Sequence, residues 1–232
     1  MIEYEPWPLY AETRDRLIII VRSLTDEQAT ETVPLTPGWT IAEVVAHVCG
    51  LNADVIDGAR EGLGTDERTE NQVRTRAGLS IAEVCEEWLG HSAALQAIID
   101  ANGVLGLRLA ADLAVHLQDV QHALGLPIDP DDAASISGGR IYAARICDRL
   151  LELTGTAVTI ELTDGSTFAP TEEQLPDTPS LLLRASPYDV LRSVTGRRSR
   201  AEVQRLAWSD DPGKILDHLS PYGPLRTTDA EI

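Results

Sequence analysis

Apolar residues recur every three to four positions through roughly the first 125 residues and then give way to alternation, so the chain changes texture along its length. Residues 9–24 carry one apolar stripe around the run Leu17-Ile18-Ile19-Ile20-Val21, which predicts an amphipathic helix. Thr25 with Gln28 has the capping-box pattern and opens a short helix. Thr40 with Glu43 repeats the pattern, ahead of Ile41, Val44, Val45, Val48 and Leu51 at helical spacing. Residues 62–78 are charged and poor in hydrophobic mass, which predicts a loop with at most one weak helical turn. Ser80 with Glu83 opens a third long helix. A fourth runs from about residue 104 to 124 and stops at Gly125, with Pro127 following. Four long helices with one apolar face each predict an antiparallel up-down bundle.

Beyond Pro127 the signals are mixed. Residues 139–153 predict another helix, and the β-branched alternation of 157–162 predicts a strand with a hairpin turn at 163–166 and a return strand. Residues 180–185 predict a further strand, and Ser186-Pro187 caps a helix through Val194 that ends at Gly196. A last strand at 201–207 and a short helix at 212–219 follow. The fold class is therefore α+β. The boundary falls in the Pro- and Asp-rich stretch 127–137 or after the helix beyond it; the second choice gives a helical bundle over 1–155 and a small α/β domain over 156–232.

Charge narrows the partners. With 37 acidic against 19 basic residues the net charge is −18, and no basic run exceeds Arg197-Arg198, which argues against nucleic acid and anionic membrane. No apolar run approaches the roughly 20 residues of a membrane span. The N-terminus lacks the basic start and apolar core of a signal peptide, and the 3 cysteines are too few and too scattered for a disulfide framework. A soluble, cytoplasmic protein is expected, a monomer or a weak homo-oligomer.

The chemistry concentrates in the fourth helix, where Asp112, His116 and Asp119 stand four and three residues apart among apolar neighbours. Residues i and i+4 share a helix face, so Asp112 and His116 can offer two ligands to one divalent ion. The same spacing also serves a plain hydrogen-bonded helix pair, and the motif alone leaves both open. His47 lies on the apolar second helix; a bundle that brings the second and fourth helices together makes it a third ligand, with one coordination position open as in catalytic zinc sites. Asp119 suits a role orienting an imidazole or holding a substrate group, or a simple i,i+3 pairing. Cys49, Cys85 and Cys147 read as small core residues, His122 as a surface residue, and His91 and His218 as solvent-facing. Any thiol chemistry would then use a thiol from outside the chain.

Three stretches carry a resemblance: Pro37-Gly-Trp-Thr-Ile-Ala-Glu-Val-Val-Ala-His47; Leu-Ala-Ala-Asp112-Leu-Ala-Val-His116-Leu-Gln-Asp119 with Ala-Leu-Gly125; and Ser186-Pro-Tyr-Asp-Val-Leu-Arg-Ser-Val-Thr-Gly-Arg-Arg-Ser199 with Trp208-Ser-Asp-Asp-Pro212. Together they resemble the mycothiol-dependent maleylpyruvate isomerase family, within the wider DinB-like metal-binding bundles. The resemblance implies zinc or another divalent metal on His47, Asp112 and His116, with Asp112 standing where the isomerase has Glu. It implies mycothiol as thiol cosubstrate, an electrophilic small molecule as its target, and an arginine of the C-terminal domain reaching the site, Arg197 before Arg198. Both an S-transferase and a cis-trans isomerase begin with that thiol addition. A non-enzymatic metal- or ligand-binding bundle, acting as sensor or interaction module, is the alternative of another class.

Overall fold

A computed structural model describes residues 4–36, 38–59, 61–171 and 177–229; Pro37 of the first quoted stretch lies outside them. The chain forms two compact units, Met1–Asp129 and Pro130–Ile232. The division falls in the stretch 127–137, so the helix expected at 139–153 lies in the second unit. Among the described residues no helix is long and apolar enough to cross a membrane.

The first unit is helical: α1 (Pro6–Arg22), α2 (Asp26–Ala29), α3 (Ile41–Ile56), α4 (Asp66–Arg74), α5 (Ile81–Gly90), α6 (Ser92–Ala101) and α7 (Gly103–Ala123). Capping boxes at Thr25/Gln28, Thr40/Glu43 and Ser80/Glu83 start α2, α3 and α5, each side chain answering the other's backbone N–H. The four bundle positions are filled by α1, α3, α5 with α6, and α7. α1 packs along α7, and α3 faces α4, α5 and α7. Their stripes bury Leu17, Ile41, Val45, Trp88, Leu113 and Leu117, among others.

Two sequence expectations in this unit are corrected. The predicted third long helix is divided at His91, which caps α5 and begins α6. The expected loop at 62–78 contains the nine-residue helix α4, started by Thr65, whose side chain accepts from the Arg68 N–H. α4 lacks an apolar stripe; its Arg68 and Gln72 make polar contacts to α3, and Arg76 just beyond its end reaches Glu87 of α5.

The second unit contains α8 (Ala133–Thr154), β1 (Ala157–Leu162), β2 (Thr167–Phe168), β3 (Ser180–Ala185), α9 (Pro187–Val194), α10 (Arg200–Gln204) and β4 (Ala207–Trp208). The sheet order is β2-β1-β3-β4, with β1 and β3 parallel and both edge strands antiparallel to their neighbours. α8 packs against β1 and α9, burying Ile146, Leu150, Val158, Ile160, Leu183, Val190 and Val194. Gly139 allows the α8–α9 approach: a Cβ there would lie 2.2 Å from the Pro187 carbonyl oxygen. The strand expected at 201–207 is instead α10, capped by Ser199 and Glu202, followed by the two residues of β4. A single 3₁₀ turn, Leu216–His218, replaces the last predicted helix.

Candidate metal centre

His47, Asp112, His116 and Asp119 all belong to the first unit. α3 is fixed at its start by Thr40, and the preceding loop is closed on itself by the Thr32–Thr40 bridge and the Ile41 N–H to Glu31 carbonyl bond of 3.0 Å. That start sets the phase of α3 and turns His47 inward. α7 presents Asp112, His116 and Asp119 along one face, as the four- and three-residue spacing requires.

One donor atom from each of His47, Asp112 and His116 lies within 4.8 Å of the other two. Donors around a tetrahedral ion with bonds near 2.0–2.2 Å are about 3.4 Å apart, and His116 Nε2 lies 3.8 Å from Asp112 Oδ1. The two imidazole rings meet edge to face with centroids 4.9 Å apart. His47 and His116 are buried, at 7% and 5% exposure, whereas the Asp112 side chain keeps 35%. The pocket is thus dry on the imidazole side and open on the carboxylate side. Two imidazoles and a carboxylate, drawn from two core helices and converging in this way, fit a zinc-like divalent cation.

Around these three the surroundings are specific. Trp39 lies against both rings, with centroids 5.0 Å from His47 and 6.5 Å from His116. His116 has a carboxylate on each side: Asp112 Oδ1 is 3.8 Å from Nε2, and Asp119 Oδ2 is 3.7 Å from Nδ1. Asp119 is fully buried. His47 Nδ1 lies 2.8 Å from Gln72 Oε1, and Gln72 Nε2 donates to Asp54 Oδ2 at 2.6 Å. Arg68 donates to both oxygens of Asp54 at 2.8 and 2.6 Å.

The sequence reading named Asp112, His116, Asp119 and His47, and the structure brings all four together. It missed Trp39, Asp54, Arg68 and Gln72. The signal for α4 was present in Arg68, Gln72 and Arg76, four residues apart behind a Thr65 cap, but it is a stripe of polar groups. Arg197 and Arg198 belong to the second unit. Arg198 pairs with Asp189 at 2.9 Å and Glu202 at 3.2 Å, and Arg197 donates to the Thr195 carbonyl at 2.7 Å.

Among the described residues a second group gathers as closely, Cys49 with Glu87 and His91, again within 4.8 Å. His91 was expected to face solvent; its Nδ1 is buried, and its Nε2 lies 3.8 Å from Glu87. Here a cation is already built in, since Arg76 donates to Glu87 at 3.1 Å. Burial pushes the Cys49 thiol up to about 12, against the opposing pull of Arg76. The group therefore holds its own charge balance, and all three cysteines are buried.

Residues 10–121 match the family described as the mycothiol maleylpyruvate isomerase N-terminal domain. Two crystal structures share the fold over 95% of both chains, each at 14% identity. One is of a mycothiol-dependent maleylpyruvate isomerase (TM-score 0.54), the other of a histidine-to-alanine mutant of such an enzyme (TM-score 0.53). No curated protein matches the chain.

Proposed function

The N-terminal part of this chain belongs to the mycothiol maleylpyruvate isomerase N-terminal domain family, and from that premise we propose a metal-dependent enzyme that activates an external low-molecular-weight thiol, mycothiol, for addition to an electrophilic small molecule. The observation that carries the reading is the convergence of His47, Asp112 and His116 within 4.8 Å at a pocket open on one side. These residues would hold a divalent ion such as zinc, which when bound would lower the pKa of a coordinated thiol toward neutral.

The chain's own residues do the rest. His47 and His116 bind from the buried side and keep water from that half of the pocket. Asp112 contributes the negative charge from the open side. Asp119 stands behind His116 at Nδ1, the position from which a carboxylate steadies a ligating ring. Arg197 is assigned to neutralise a substrate carboxylate or developing enolate. The buried cysteines supply no nucleophile. Thiol addition followed by release is S-transfer; addition, rotation and elimination is cis-trans isomerisation.

Elemental analysis with a thiol-consumption assay tests this. Purified protein reconstituted with zinc should hold one equivalent, and His116→Ala should hold none while keeping its helical circular dichroism. Trace metal only, after reconstitution, overturns the reading. Bound metal with no mycothiol consumed across maleylpyruvate and a panel of electrophiles assigns the bundle to binding rather than catalysis. Arg197→Ala should leave the metal content unchanged and raise KM for acidic substrates, with neutral electrophiles unaffected.

A further inference from the structure

α4 reads as a device that decides which nitrogen of His47 faces the metal pocket. Arg68 and Gln72 of α4, with Arg76 just past its end, stand at four-residue spacing, Arg68 and Gln72 directed at α3 and Arg76 at Glu87 of α5. The stripe has a direction of hydrogen bonding that can be followed from one end. Arg68 only donates, and it holds Asp54 through both carboxylate oxygens. An ionised Asp54 only accepts, so the Gln72 group 2.6 Å from it is the amide NH₂. This turns the Gln72 carbonyl oxygen toward His47, 2.8 Å from Nδ1. A carbonyl only accepts, so His47 Nδ1 carries the proton and donates it. The neutral ring then has its lone pair on Nε2.

Close packing keeps the chain of bonds in register. Gln72 is 3% exposed, and it sits over Gly50 of α3. A Cβ at position 50 would fall 2.6 Å from Gln72 Cβ and 2.8 Å from an Arg76 nitrogen. Gln72 Cβ is anchored to the α4 backbone and cannot swing aside, so any larger residue at 50 displaces the helix.

We infer that Gln72, oriented by Asp54 and Arg68 and seated by Gly50, is a positioning residue that fixes His47 as the Nδ1–H tautomer and so presents Nε2 as a metal ligand before any metal arrives. This rests on the metal-site reading above, but its primary test needs no metal. Long-range ¹H–¹⁵N correlation spectra of the metal-free full chain, slightly alkaline and ¹⁵N-labelled at histidine, report the tautomer of each of the 5 histidines, with His47 assigned by its absence in His47→Gln. His47 should be the Nδ1–H form, against the intrinsic preference of a neutral imidazole for the proton on Nε2. An Nε2–H ring in the wild-type protein overturns the inference without recourse to any variant. Gln72→Met keeps the side-chain length and removes the carbonyl; His47 should revert to Nε2–H, and zinc affinity by chelator competition should fall roughly 10- to 100-fold with the saturating stoichiometry unchanged. An unchanged tautomer in folded Gln72→Met also overturns it. Wild-type protein that takes up no zinc yet shows the Nδ1–H form sinks the metal reading alone, while zinc uptake with an Nε2–H ring sinks the positioning role alone.

Discussion

Single side chains carry most of the chemistry, and most of it was legible. Asp112, His116 and Asp119 announce themselves by helical spacing in an apolar segment, and His47 by being an imidazole among the apolar residues of its helix. Gln72 and Trp39 left no such mark, because a neutral amide or an indole is unremarked in sequence until a ring is found beside it. At this scale the cysteines make a clear prediction. Burial raises all three thiols, Cys49 and Cys147 to about 12, so none should react with Ellman's reagent in the native protein and all three should react in denaturant. The pH dependence follows for Cys147. Its folded value lies above the ordinary 9.0, so folding favours the protonated form; that stability is complete below pH 9 and is lost as the pH climbs from there toward about 12. Denaturant midpoints across that range should fall, and Cys147→Ala should flatten the fall.

Helices and strands were legible wherever hydrophobicity sets the period. Capping boxes located three helix starts, and alternation located β1. Two of the failures share a cause: α4 and α10 are short helices started by side-chain caps rather than marked by apolar stripes, and hydrophobic period carries no information about them. Two element-level outcomes follow. Thr40→Ala removes the cap on α3, costing about 1 kcal/mol in stability, and should weaken zinc binding because the first turn sets the phase of His47. Gly139→Ala gains helix propensity of about 1 kcal/mol but drives a methyl into the Pro187 backbone. An overpacking cost of about 1–3 kcal/mol, in a contact made by backbone that cannot rotate away, should leave it net destabilised in urea titrations.

For the molecule as a whole, the sequence left two places for the boundary, before or after the helix at 139–153, and the compact units divide before it. A helix amphipathic enough to pack on either partner gives no hint of which it chooses, and only its contacts with β1 and α9 decide. The unit boundary at Asp129–Pro130 lies in an exposed, irregular stretch around residues 125–131. Limited proteolysis should cut there first, and because His47, Asp112 and His116 all precede the cut, bound zinc should travel with the N-terminal fragment. Zinc lost on that single cut would mean that the second unit contributes to its retention.

The polar character of α4 has a consequence in time. Between Asp66 and Arg74 its one apolar residue is Val73, so the helix is held largely by the Arg68–Asp54 ion pair and the Gln72 amide, and the ion pair weakens in salt as a hydrophobic seam does not. Such a segment opens on its own, long before the bundle melts. Its amides should exchange with deuterium much faster than those of α3 and α7, faster still at high ionic strength, and more slowly once zinc is bound. Each opening would release His47 to choose its tautomer afresh, so the rate at which the protein becomes ready for metal would be the closing rate of one short helix.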